Sequence, residues 1–211
     1  FIITRLIRHR KVIFVLIARS LPMVIWIGFI TYNSIIVVNF FGGTAPQAGI
    51  LASIGFLGSS VASSQTGRIT AAFSTRITPL IIAHLLLGAG FGLLLLSPGL
   101  TIAAVGVTIA GFGLGIVGAL YRSVITGFAP EHLRAGLVSI SEVGGRTSVT
   151  LTPILMGAAV AYFTPMVGFI AAIQFASFGC IVVGAGGGIL CLLIAHSSPA
   201  IPSCSQSTPA E

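Results

Sequence analysis

The chain has 211 residues, of which 55% are hydrophobic and only 6% are charged, whereas about a quarter of the residues in an average soluble domain are charged. Ten Lys and Arg and three Asp and Glu side chains could not solvate a soluble fold of this size, but the surface of a membrane protein faces hydrocarbon. The net charge of +7 does not indicate nucleic-acid binding, because the basic residues lie in short clusters between apolar runs. The composition therefore predicts a membrane protein.

Six segments are apolar over the roughly 20 residues that a transmembrane helix needs. In chain order they cover residues 22–41, 46–66, 77–96, 102–121, 135–160 and 166–195. Turn-forming Gly and Pro residues separate them at 42–46, 97–99 and 163–165. We therefore expect an all-α membrane protein with six transmembrane helices.

The basic residues alternate with these spans. The lead-in contains Arg5, Arg8, Arg10 and Lys11, and the loops at 67–76 and 122–134 each contain two arginines. The other three turns contain neither Lys nor Arg, as the positive-inside rule requires of the external side. Both ends of the chain are therefore predicted to be cytoplasmic.

This pattern divides the chain into three regions. Residues 1–21 form a basic cytoplasmic lead-in and the start of the first helix, residues 22–195 form the transmembrane domain, and residues 196–211 form a disordered cytoplasmic tail rich in Ser and Pro. The chain begins at Phe1 and has no signal-peptide pattern. We therefore expect it to be a fragment of a longer protein.

The fifth span is the most polar and contains two charged residues. Glu142 and Arg146 are four residues apart and share a helix face. The acid lies on the N-terminal side, and this order favours an ion pair. Charged groups inside a membrane usually face a bundle interior or a wet cavity. The pair is interpreted either as a substrate- or proton-binding part of a cavity or as a neutralised pair that fixes helix packing.

Other polar residues in the spans have competing interpretations. Tyr32 and Asn33 could offer hydrogen bonds to a substrate or could clamp neighbouring helices. Arg19 is interpreted as an anchor at the cytoplasmic boundary. His84 and Gln174 are isolated, so each is interpreted as a packed polar group. No His or Cys cluster has metal-ligand spacing, and the glycine runs within spans are interpreted as packing surfaces and not phosphate loops. We expect no metal or cofactor.

The loop at 122–136 resembles the loop between the fourth and fifth helices in a half of a major facilitator superfamily transporter. It contains a Pro followed by a basic and a small residue, which here are Pro130, Arg134 and Ala135. The loop at 67–76 retains the first Gly and the last basic residue of the family's loop signature, as Gly67 and Arg76. The basic lead-in and the six spans resemble the C-terminal half of such a transporter.

The resemblance implies a twelve-helix fold in which a missing N-terminal six-helix half completes a plasma-membrane transporter. Such a protein binds a small-molecule substrate between its halves and works by alternating access, and proton-coupled efflux is one form of this activity. The resemblance places the first, fourth and fifth helices around the cavity, and it assigns cytoplasmic gating to two loops. The predicted cavity residues are Tyr32, Asn33, Glu142 and Arg146. The predicted gating residues are Gly67, Arg68, Arg76, Arg122 and Arg134.

Two other functional classes remain as alternatives. The chain could be a structural or interaction subunit of a membrane complex that does not itself transport. It could also be an intramembrane enzyme, but the spans contain no His-rich metal set, paired Asp residues or Ser-His couple. We therefore expect a transporter and not an enzyme.

Overall fold

The computed structural model describes residues 9–198, which form six long helices and no strand. They are α1 (Arg10–Phe41), α2 (Ala45–Ala71), α3 (Ile77–Leu96), α4 (Leu100–Thr126), α5 (Glu131–Val167) and α6 (Phe169–Ser197). All six are long and apolar enough to cross a membrane. The predicted all-α fold with six spans is therefore confirmed.

Local sequence explains where the helices end. Gly42 ends α1 with a φ of 64°, a left-handed conformation that favours glycine. Thr44 and Gln47 then form a capping box at the start of α2, and Pro46 occupies its first turn. The predicted turn at 163–165 is displaced, because α5 continues through Pro165 and the chain turns at Gly168, whose φ is 85°.

The first helix begins earlier than its predicted span. It starts at Arg10, so part of the basic lead-in is helical, and Pro22 lies inside the helix. At the other end, α6 continues to Ser197, two residues beyond the predicted end of the last span. The lead-in residues Arg5 and Arg8 and most of the predicted tail lie outside the described residues.

Glycines allow close contact around α4, which packs against both α2 and α3. A Cβ atom on Gly111 would meet the backbone carbonyl of Gly55 in α2, and one on Gly113 would lie 2.7 Å from the backbone nitrogen of Leu87 in α3. These contacts confirm that the glycine run in α4 is a packing surface.

The first helix connects the two ends of the core. Near its start, Val12 and Val15 are buried with Leu80 of α3 and Leu137 of α5. Further along, it contributes to an aromatic cluster in which the ring centroids of Trp26 and Phe29 lie 6.0 and 5.0 Å from that of Phe91. Since α1 also packs against α5 and α6, it holds these helices in a fixed relation to α3 and α4.

The last helix is interrupted by a π-helical turn, Val182–Gly186. Its first part, Phe169–Ile181, packs against α5 and α1, whereas its last part, Gly187–Ser197, packs against α1 and α3. Gly184 lies against Leu21 and Ile25 of α1, and Gly188 lies against the ring of His84 in α3. Gly184 in this turn and Gly188 just after it therefore allow α6 to pass close to both neighbours.

Candidate functional site

One face of α5 is polar and is not covered by the other five helices. Only 17% of the most apolar stretch of α5 is buried, against 56% for α4. The residues that face the bundle include Leu137, Ser141, Gly145 and Met156, which recur at helical spacing. The opposite face forms a shallow, open depression. It is lined by Val138, Ser139, Glu142, Val143, Arg146, Thr147, Thr150 and Leu151.

Glu142 is the centre of a charge cluster that joins three helices. Its Oε1 atom accepts a hydrogen bond from Nη2 of Arg19 in α1 at 3.2 Å. The Nη2 atom of Arg122, near the end of α4, lies 3.8 Å from the same oxygen. The Arg19 side chain is only 6% exposed, whereas that of Glu142 is 37% exposed and that of Arg122 is 69% exposed. The carboxylate therefore lies at the boundary between the buried bundle and the open face.

The predicted ion pair between Glu142 and Arg146 is wrong, because the carboxylate contacts arginines of other helices. Arg19 is buried and loses its hydration, so it needs a counter-charge more than the exposed Arg146 does. Among the residues that the structure describes, Arg146 forms no ion pair within 4.0 Å. It lies about 6 Å further along α5 than Glu142, on the same open face.

Arg19 belongs to the charge cluster of the candidate site, although the sequence alone does not predict it there. From the sequence, Arg19 is interpreted as a boundary anchor because the predicted first span begins at residue 22. With α1 beginning at Arg10, Arg19 lies nine residues inside the helix and is buried. The apolar residues from Val12 onward were the signal that could have placed it inside the bundle.

Two further polar side chains are buried in the core. The rings of His84 in α3 and Tyr121 in α4 are fully buried and meet edge to face, with centroids 6.0 Å apart. His84 Nδ1 bonds to the carbonyl of Leu80 at 2.8 Å. His84 is thus a packed polar group.

Tyr32 and Asn33 point in different directions. The Tyr32 hydroxyl lies beside Gly157 of α5, 3.8 Å from where a Cβ atom would be. Asn33 is buried, and its Nδ2 donates a 2.7 Å hydrogen bond to the carbonyl of Ala48 in α2. Asn33 therefore clamps α1 to α2 and lies away from the open face of α5.

The other three predicted cavity residues, Tyr32, Glu142 and Arg146, lie at two different levels along the helix axes. Tyr32 is thirteen residues beyond Arg19 in α1, which corresponds to about 20 Å along the helix axis. The structure therefore brings Glu142 and Arg146 together on the open face but leaves Tyr32 roughly 15 Å or more beyond them, towards the opposite end of α5.

Some of the predicted gating residues connect the ends of neighbouring helices. Nη1 of Arg76 donates to Oγ of Ser123 at 2.8 Å, which ties the start of α3 to the end of α4. Arg134 contacts Glu131 at 3.5 Å within the first turn of α5. The other two gating residues of this set, Gly67 and Arg68, are exposed on the last turns of α2. Arg76 and Arg122 thus have partners on other elements, whereas Arg68 does not reach another helix.

No group of three or more His, Cys, Asp or Glu side chains is placed to hold a metal ion within residues 9–198. The charged groups of the open face are instead arginines and one carboxylate. This arrangement can bind an anion or exchange ion-pair partners.

Comparison with solved structures identifies the architecture. The inward-open structure of the xylose transporter XylE from E. coli matches with a TM-score of 0.64 and 18% sequence identity. The fold resembles that of a major facilitator transporter. The match covers 96% of this chain and 49% of the xylose transporter, so the chain spans about half the length of that protein. No family model and no curated protein matches the sequence.

Proposed function

We propose that this chain is the C-terminal half of a secondary active transporter that moves a small solute across the plasma membrane by alternating access. The observation that carries the proposal is the uncovered polar face of α5, with Glu142 and Arg146, on a bundle that resembles a transporter fold. Charged groups in a membrane-spanning helix are costly facing lipid and are typical of solute and ion paths. A six-helix N-terminal half would cover this face and complete the path.

The proposed path involves the ion-pair cluster directly. Arg19, Arg122 and Glu142 come from α1, α4 and α5, so a change in any one helix changes the contacts of the others. Such a cluster can have more than one set of ion pairs, as a protein that alternates between two conformations requires. The contact of Arg76 with Ser123 extends this network to the loop between α2 and α3, in agreement with the proposed cytoplasmic gate.

A more specific version of the proposal is that transport is proton-coupled efflux. Glu142 is the only acidic residue deep inside a span, since Glu131 lies in the first turn of α5 and Glu211 is the last residue of the chain. Protonation of Glu142 would remove the negative charge that holds Arg19 and Arg122. Proton uptake and rearrangement of the three helices would then be linked.

Transport by the complete polypeptide in liposomes tests the proposal. Counterflow with a mixed panel of labelled solutes should reveal exchange, and Arg146→Ala should reduce it at least tenfold with normal membrane insertion. Ile140→Ala is the matched control, because Ile140 is exposed on α5 but does not line the depression. Unimpaired exchange by Arg146→Ala would exclude the role of this arginine. Correctly inserted protein that exchanges no solute would favour the structural or interaction subunit.

A further inference from the structure

The open face of α5 carries an excess of positive charge. Glu142 and Arg146 line this face. Glu142 contacts Arg19 of α1 and Arg122 of α4, whereas Arg146 has no ion-pair partner among residues 9–198. If Arg146 shared that carboxylate, the face would offer a solute only a neutralised pair. Because Glu142 already contacts Arg19 and Arg122, Arg146 is available to an anionic ligand, and its uncompensated positive charge favours one.

The guanidinium of Arg146 donates hydrogen bonds, whereas the hydroxyl groups of this face are free only to accept them. Ser139, Thr147 and Thr150 each donate their proton to the backbone carbonyl four residues earlier in α5, at 3.0, 2.9 and 3.1 Å. Their remaining capacity is the lone pairs of the oxygen, which accept hydrogen bonds. The face therefore offers one strong cationic donor group beside several hydroxyl acceptors.

This combination selects a class of ligand. A neutral sugar could donate its hydroxyls to the threonine oxygens but would leave the guanidinium of Arg146 without an anion. A simple carboxylate such as acetate would pair with Arg146 but would give the threonine oxygens no donor. A hydroxylated carboxylate satisfies both, with a charge-assisted and bidentate contact to the guanidinium.

We infer that the solute is a hydroxylated organic anion of the sugar-acid class, with its carboxylate on Arg146 and its hydroxyls on Thr147 and Thr150. Arg146 and Thr150 are one helical turn apart, about 6 Å along the axis, which a short hydroxylated carbon chain can span. This inference rests on the proposed function, because it names the substrate of the same path.

The test uses the complete polypeptide and compares three solutes: gluconate, glucose and acetate. Their exchange is measured by counterflow in liposomes, and their binding to the detergent-purified protein is measured by calorimetry. Gluconate should exchange and bind, whereas glucose and acetate should bind at least tenfold more weakly. Arg146→Gln should weaken gluconate binding at least tenfold, and Arg146→Lys should weaken it less because the charge remains. Thr150→Val should weaken gluconate binding several-fold and leave acetate binding unchanged.

The possible failures are distinguishable. Equal binding of glucose and gluconate, or gluconate binding that Arg146→Gln does not change, would overturn the inference. Exchange of neutral or cationic solutes without gluconate would also overturn it and would leave the proposed transport intact. Binding of gluconate without exchange of any solute would support the ligand class and contradict transport.

Discussion

Replacing Glu142 with alanine should destabilise the fold much more than replacing Arg19 with methionine. The alanine variant leaves the guanidinium of Arg19, which is 6% exposed, without the carboxylate that accepts its 3.2 Å hydrogen bond. Two further nitrogens of Arg19, Nε and Nη1, are buried and have no hydrogen-bond partner within the described residues. The alanine variant thus retains a buried charge and removes its counter-ion.

The magnitude follows from the burial of the two groups. Removing one partner of a buried ion pair costs about 3–5 kcal/mol. Because the Glu142 side chain is 37% exposed, we take the lower end, about 3 kcal/mol, or about two orders of magnitude in the folding equilibrium. Arg19→Met removes the buried charge itself and fills a similar volume, and Glu142 keeps Arg122 nearby. Its cost should stay within about 1 kcal/mol.

The assay is unfolding by SDS, followed by the fluorescence of Trp26, the single tryptophan of the chain. Trp26 is 5% exposed, and its ring packs edge to face against Phe56 with centroids 5.0 Å apart. Its emission should therefore change when the bundle opens. Arg146→Ala is the control on the same helix, and its exposed side chain should contribute less than about 0.5 kcal/mol.

A double variant makes the reasoning refutable. If the cost of Glu142→Ala arises from the stranded charge of Arg19, then adding Arg19→Met should recover about 2 kcal/mol. The reasoning fails if the double variant is no more stable than Glu142→Ala. It also fails if Arg19→Met is the more damaging single change.

Three further predictions concern packing and orientation. Asn33→Leu removes the hydrogen bond to the Ala48 carbonyl and should cost about 1 kcal/mol in the same SDS titration; an unchanged midpoint would refute the clamp. Gly111→Ala forces a methyl group onto the backbone of α2 and should abolish stable folding, whereas Gly118→Ala meets no atom within 4 Å and should be tolerated in thermal-stability measurements. Equal stability of the two alanine variants would contradict this packing. Ser74→Cys should react with a membrane-impermeant maleimide only from the cytoplasmic side, and labelling from outside would reverse the predicted topology.

Much of the fold could be predicted because hydropathy and turn chemistry act locally. The apolar run of α3, Ile77–Leu96, agrees with its predicted span at both ends, since basic residues precede it and the Ser-Pro-Gly turn follows it. The predicted start of the first helix is less accurate, because hydropathy detects the apolar membrane crossing and not the full length of the helix. Arg10 and Lys11 begin α1, although such charged residues lie outside the apolar stretch that hydropathy detects.

The candidate site could be predicted only in part, because its contacts join distant parts of the sequence. Spacing along α5 correctly placed Glu142 and Arg146 on one face. Spacing could not show that Arg19, 123 residues away in the chain, is the partner of Glu142. Likewise, Asn33 and Tyr32 are adjacent in sequence, but helical geometry directs one to α2 and the other to α5.

The π-helical turn is the part of α6 that can best accommodate a change in the length of the helix. A π turn accommodates one residue more than an α-helical turn, and each residue of an α-helix corresponds to a rotation of about 100°. Ala172 and Ala176 before the turn and Leu192 and Ala195 after it are all buried, although they face different neighbours. Losing a single residue from Val182–Gly186 would therefore return the turn to α-helical geometry and leave Leu192 buried. Losing a residue from the α-helical stretch between Gly187 and Leu192 would instead rotate Leu192 by about 100° towards lipid.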